Sequence, residues 1–226
     1  MLLVDAGNTD TVVARLATGA DPVGADLEPL CRVPTAREAE AAAGLARRIL
    51  AGRQPREEVV ISTVVPAVAA ALTGACPEAA VIDHRWDLPF AVGVGNPHTV
   101  GADRWCNVAA AAATGLDRAI VVDAGTATTI DVLRDGVFVG GLIAPGMAFA
   151  ARQLQTLGAR LWEVPFAPCT LEPGRDTEAA LRAGAYHVGV HGVAGVVGVL
   201  LAREPGAAVR LTGGLGGHLA RPGWPH

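Results

Sequence analysis

LLVDAGNT (residues 2–9) and IVVDAGTA (residues 120–127) are one phrase written twice. Each is an apolar run, then Asp-Ala-Gly, then small hydroxyl or amide residues. Each leads into a second β-branched run, TVVARL at 11–16 and TTIDVL at 128–133. The apolar runs suit buried strands, and the glycine permits a turn whose backbone N–H groups face outward. Two such hairpins predict an α/β chain of two related halves, residues 1–115 and 116–226, facing each other across a cleft. Amides, hydroxyls and a carboxylate on each side make a lining suited to a triphosphate and its cations.

Composition narrows the chemistry. Hydrophobic residues make up 51% of the 226 and charged residues 18%, enough apolar material for a sizeable core and too little charge for wholesale disorder. Net charge is −4 without a basic block, which argues against a nucleic-acid partner. All 18 basic residues are Arg. Without Lys there is no Walker A loop, no pyridoxal Schiff base and no protein-kinase strand lysine. Cys31, Cys76, Cys106 and Cys169 form no CxxC pair and read as reduced packing residues. The N-terminus meets Asp5 too soon for a signal peptide. The apolar run 188–202 is short for a bilayer span and contains His191, so it reads as a buried helix. The expectation is a cytoplasmic protein with no membrane partner.

Between the hairpins, residues 18–33 read as a turn and edge strand. Residues 35–52 read as a helix with Thr35 as N-cap and Glu38 three residues on. EEVVISTVV (57–65) is a strand stopped by Pro66, followed by a short helix at 66–72 and a strand at 79–83. The Pro- and Gly-punctuated stretch 84–100 reads as a long functional loop, and 102–113 as a helix closed by Gly115. A strand at 137–143, a helix at 147–157, a long helix at 177–203 and a strand at 208–212 complete the chain. Five glycines inside the long helix (184, 189, 192, 195, 198) predict close approach to another backbone, in a neighbouring helix or a second subunit.

Several residues stand out chemically. Asp5 would meet a triphosphate through Mg²⁺ and its waters, and Gly7, Asn8 and Thr9 would offer donors to the transferring phosphate. Asp123 follows the same logic, with Thr126 as its hydroxyl partner; an Asx turn is the structural alternative for both acids. Gly213-Gly214, just after a strand, would let a base or ribose lie on bare backbone. Asp103 suits a helix N-terminus, but Arg104 in the same turn opposes the macrodipole, which favours a role as a carboxylate clamp. Asp103 would then lie near a substrate hydroxyl and accept its proton. Asp131 reads equally as a metal-facing carboxylate or a salt-bridged one. His98 reads as a loop residue, His187 and His191 as core or interface groups, and Trp105 and Tyr186 as packing.

DAGNT (5–9), ISTVVP (61–66), NPHTVGADR (96–104), DAGTATTID (123–131), GGLIAPG (140–146), Thr177-Glu178 and TGG (212–214) occur in this order. The set resembles the type III pantothenate kinases of the acetate and sugar kinase/Hsp70/actin superfamily. The resemblance implies a duplicated ribonuclease H-like (actin-like ATPase) fold with two lobes around a nucleotide cleft. It implies phosphorylation of pantothenate by ATP, the first step toward coenzyme A, in a homodimer needing Mg²⁺ and a monovalent cation, K⁺ or NH₄⁺. Carried across, Asp5, Ala6, Gly7, Asn8, Thr9, Asp10, Thr11 and Val12 resemble the first ATP-phosphate loop, joined by Thr126, Gly213 and Gly214. Gly101, Ala102, Asp103 and Arg104 match the pantothenate segment, with Asp103 as proton acceptor. Asp123 matches the monovalent-cation ligand, and Thr177 a substrate contact of the dimer-shared site. Two departures are visible. Val94 stands where the family usually has a pocket-lining Tyr, and the segment after TGG is shorter than usual, which implies a thinner cover over the base. A sister kinase with another small hydroxyl substrate, and a non-catalytic nucleotide-binding homologue, stay open as alternatives.

Overall fold

The computed structural model describes residues 1–17 and 26–225, so part of the turn expected at 18–33 lies outside the described residues. The chain divides into two compact units, Met1–Pro89 with Gly95–Thr114, and Phe90–Val94 with Gly115–His226.

In the first unit β1 (Leu2–Ala6), β2 (Asp10–Arg15) and β3 (Glu28–Pro34) form an antiparallel meander. Helix α1 (Ala39–Ala51) then leads to β4 (Val59–Thr63), which pairs parallel with β1. Helix α2 (Pro66–Ala75) leads to a short β5 (Ala80–Val81), giving the order β3-β2-β1-β4-β5. Strand alternation decides which side chains go inward. Leu2, Val4 and Ala6 pack with Leu45, Ile49, Val68 and Leu72 on the helix-covered face. Leu3 and Asp5 therefore point to the other face. Losing a buried leucine such as Leu72 would cost about 2–5 kcal/mol.

The second unit repeats the plan. β7 (Ala119–Ala124), β8 (Ala127–Arg134) and β9 (Val137–Pro145) form the meander, and β10 (Ala208–Thr212) pairs parallel with β7. Its order is β10-β7-β8-β9, with one added strand beyond β9. Both sheets thus place the first strand between its antiparallel successor and a later parallel strand, which is the ribonuclease H-like arrangement in duplicate. Ile120, Val122 and Ala124 face a core completed by Val190, Val197 and Val209. The added edge strand, β6 (Ala91–Val92), comes from the stretch read as pure loop and pairs parallel with β9. Chain order alone would have left these residues with the first half.

Two helix expectations are corrected. Helix α1 starts at Ala39 with Glu38 at its N-cap, because the Thr35 hydroxyl is bonded to that of Thr11 at 2.9 Å instead of capping. Helix α5 (Thr177–Arg203) has the expected span, capped by Asp176, which accepts from the Ala179 N–H at 2.8 Å. It is not buried: only 11% of its most apolar 18-residue window is shielded, and Val188 is 75% exposed. It also has the length and hydropathy of a membrane span. A Cβ at Gly189 would press on Met147 and Phe166, whereas one at Gly184, Gly192, Gly195 or Gly198 would meet nothing within 4 Å, so no backbone within the described residues explains those four. Helices α3 (Ala102–Ala113) and α4 (Met147–Gln153) complete the set.

Candidate active site

In the first unit the residues expected to bind phosphate form the β1–β2 turn. Asp5, Asn8 and Thr9 are exposed, while Ala6 and Thr11 are buried and Asp10 and Val12 half-buried. The Gly7 N–H does not face outward. It closes the hairpin by donating to the Asp10 carbonyl at 3.0 Å, and the Gly125 N–H does the same to Ala127 at 3.0 Å. The open part of the loop is therefore Asn8–Thr9, steadied by Arg37, whose guanidinium donates to the Asn8 carbonyl at 2.7 Å.

Asp5 has company that the motif reading passed over. Across the parallel β1/β4 pair its register partner is Ser62, whose hydroxyl donates to Asp5 Oδ1 at 3.1 Å. Cys106, one turn beyond Asp103 on α3, lies close enough to Ser62, Asp5 and Asp103 for all three to act on its thiol. Burial pushes its thiol up, the Ser62 hydrogen bond opposes this, and the two carboxylates add to the rise, so the thiol stays protonated and inert. One face of the first unit thus gathers Asp5, Ser62, Asp103 and Cys106. The signal in the sequence was the strand ending IST: pairing it parallel to LLVDA in register places Ser62 beside Asp5.

Gly101 is the N-cap of α3, and Asp103 folds back over it. A Cβ at 101 would lie 2.4 Å from Asp103 Oδ1 and 3.1 Å from Val64, so glycine keeps room for the carboxylate. The same oxygen accepts from the Arg104 N–H at 2.8 Å. Ala102 is buried beneath, and Arg104 is half-buried.

In the second unit Asp123 pairs with Thr129 on β8 and Thr212 on β10. Gly213, at φ +80°, is pressed against it: a Cβ there would lie 2.4 Å from Asp123 Oδ1 and 2.7 Å from the Ala124 N. Gly213 therefore makes space for Asp123, while a Cβ built on Gly214 would meet nothing within 4 Å. The exposed Thr126 is held from behind by Gly146, whose N–H donates to the Thr126 carbonyl at 3.2 Å. Asp123, Thr126, Gly213 and Gly214 thus belong to one end of the second sheet. Val94 lies elsewhere, over Gly140 of β9. Thr177 lines an apolar groove of about 600 Å³ between α4 and α5 with Met147, Leu181 and Val188. Asp131 is fully buried on β8, opposite Gly141, which leaves it room. Among the described residues no cluster of three His, Cys, Asp or Glu side chains could hold a metal by itself. His187 and His191 stack on each other, their ring centroids 5.6 Å apart.

A family model described as type III pantothenate kinase matches residues 1–198. The chain belongs to the type III pantothenate kinase family. Type III pantothenate kinases of Acidiphilium cryptum and Moorella thermoacetica are 34% and 33% identical to it, over 95% and 96% of this chain and 83% and 88% of theirs. Two solved structures share the fold at a TM-score of 0.54 each. One, from Campylobacter jejuni, is described as a Baf-family transcriptional activator (20% identity, 97% of this chain and 86% of that one). The other is the ethanolamine utilization protein EutJ of Carboxydothermus hydrogenoformans (16% identity, 94% and 75%).

Proposed function

We propose that each DAG hairpin of this type III pantothenate kinase binds ATP phosphate, and that Asp103 is the base for the acceptor. The reaction is ATP-dependent phosphorylation of pantothenate, the entry to coenzyme A biosynthesis. The observation that supports the assignment is the grouping of Asp103 with Asp5 on one face of the first unit, the two acids sharing Cys106 as a neighbour.

Arg104 pairs with the pantothenate carboxylate and turns the terminal hydroxyl toward Asp103. As the hydroxyl oxygen bonds to the γ-phosphorus, the bond from that phosphorus to the β,γ-bridging oxygen breaks and ADP leaves. The hydroxyl proton passes to Asp103; in a loose transition state it leaves late, so an ordinary carboxylate suffices. Asn8 and Thr9 donate to the transferring phosphoryl group, Thr126 to the phosphates from the second hairpin, and Gly214 lies against the nucleoside. An exposed Asp5 carboxylate beside a serine hydroxyl fits hydrated Mg²⁺, which wants hard oxygen ligands. Asp123, in a cradle that a Cβ at 213 would fill, fits a desolvated monovalent cation. When bound, both cations neutralise phosphate charge. Thr177, at the start of the exposed α5, contacts substrate in a homodimer assembled on that helix, and the enzyme works in the cytoplasm. Val94 in place of a bulkier aromatic leaves the pantothenate pocket wider.

The test is production of ADP and phosphopantothenate from ATP, Mg²⁺ and pantothenate, in K⁺ and then in Na⁺. Turnover should need K⁺, and Asp103→Asn should lower kcat by about 10²–10⁴-fold with ATP binding retained. Undiminished turnover in Asp103→Asn would refute the assignment of the base.

A further inference from the structure

Ser62 lies on a central strand and is only 8% exposed. A hydroxyl in such a place is costly unless it is bonded, and here its bond goes to one oxygen of a carboxylate whose other surface meets solvent. Cys106 backs the serine from α3. The serine's single proton goes to Asp5 Oδ1, so the bond ends on the carboxylate. The second unit repeats the placement, since Asp123 and Asp5 are each the last but one residue of their strand. Each has a hydroxyl residue as its parallel-strand partner, Thr212 and Ser62 respectively.

We infer that Ser62 is a positioning residue for phosphoryl transfer: its hydroxyl locks the rotamer of Asp5, so that the carboxylate meets the hydrated metal of the nucleotide in one orientation. This rests on the role proposed above for Asp5, and it assigns Ser62 no contact with substrate. Groups that orient a metal-facing carboxylate commonly change metal affinity by about 10–100-fold when removed.

The experiment measures Mn²⁺ binding to the full chain in the presence of ATP, by the paramagnetic resonance signal of free Mn²⁺, alongside steady-state kinetics. Ser62→Ala should weaken Mn²⁺ binding by about 10-fold and lower kcat, with the KM for pantothenate within about two-fold of wild type. Ser62→Thr and Ser62→Val have the same shape and differ by the hydroxyl, so only the threonine variant should keep wild-type Mn²⁺ affinity. This pair decides the matter even where Ser62→Ala folds poorly. Equal Mn²⁺ affinities in the Thr and Val variants would overturn the inference. Asp5→Asn separates the two levels. If it binds Mn²⁺ as wild type does, the role of Asp5 falls and this inference with it. If it loses Mn²⁺ while Ser62→Val does not, Ser62 alone is dismissed.

Discussion

Gly213 shows how much of the site is made of absence. Its positive φ and its approach to Asp123 exclude a side chain on two independent grounds. Gly213→Ala should destabilise the fold by about 1–3 kcal/mol and, by displacing the Asp123 carboxylate, raise the K⁺ concentration needed for half-maximal rate. Thermal melts and a K⁺ titration check the two effects. The sequence marks this glycine as a place for a base or ribose, and the structure adds a second task, room for Asp123, which a Gly pair after a strand does not reveal by itself. Ser62 was missed for a different reason: it has no motif of its own, and only the register of a parallel pair brings it to Asp5.

Among the elements, the meanders are tied to their surroundings by buried carboxylates. Glu57 accepts from Arg15 Nε at 2.7 Å and from the Gln54 N–H at 2.9 Å, and Glu204 is paired with Arg134. The Arg15 hydrogen bond holds Glu57 below the ordinary value of 4.5 against the opposing effect of burial, and Arg134 does the same for Glu204. Because the folded values are depressed, this stabilisation is complete above pH 4.5 and is lost as pH falls through the folded values. The melting temperature should therefore hold its contribution from these pairs between pH 7 and about 5 and decline below that. Glu57→Gln should lower the melting temperature at pH 7 and flatten the acid decline. Helix α5 carries a second prediction. Its outer face exposes Val188 and Val199, 75% and 54% accessible, between bare glycines. On the homodimer proposed above, Val188→Asp should shift sedimentation equilibrium toward monomer and reduce turnover, since Thr177 lies on the same helix. The span of α5 was legible to the residue. Its exposure was not, because an all-round apolar helix has the same composition whether the cover is its own chain or another.

At the scale of the whole molecule, the duplication was the most legible feature: two copies of one phrase foretold two sheets of matching strand order. The interruption of that symmetry was not legible. Strand β6 is two residues long, too short for any alternation to mark it, and its pairing with β9 joins residues far apart in the chain. A fragment beginning at Gly115 would keep the β7–β8–β9 meander and β10 yet lack that edge. It should form larger species by size-exclusion chromatography, and a synthetic peptide of residues 90–94 fused to it should restore a discrete size.

The detour has a consequence for anyone who would take the molecule apart. No single cut of the polypeptide returns both units whole: a cut after Pro89 keeps every strand with its sheet but parts α3 from the first unit, and a cut before Gly115 strands β6 with the wrong half, so modules exchanged between relatives at the apparent midpoint inherit an orphaned seam. Recombination that respects the fold must carry residues 90–94 along with the half they do not adjoin in sequence.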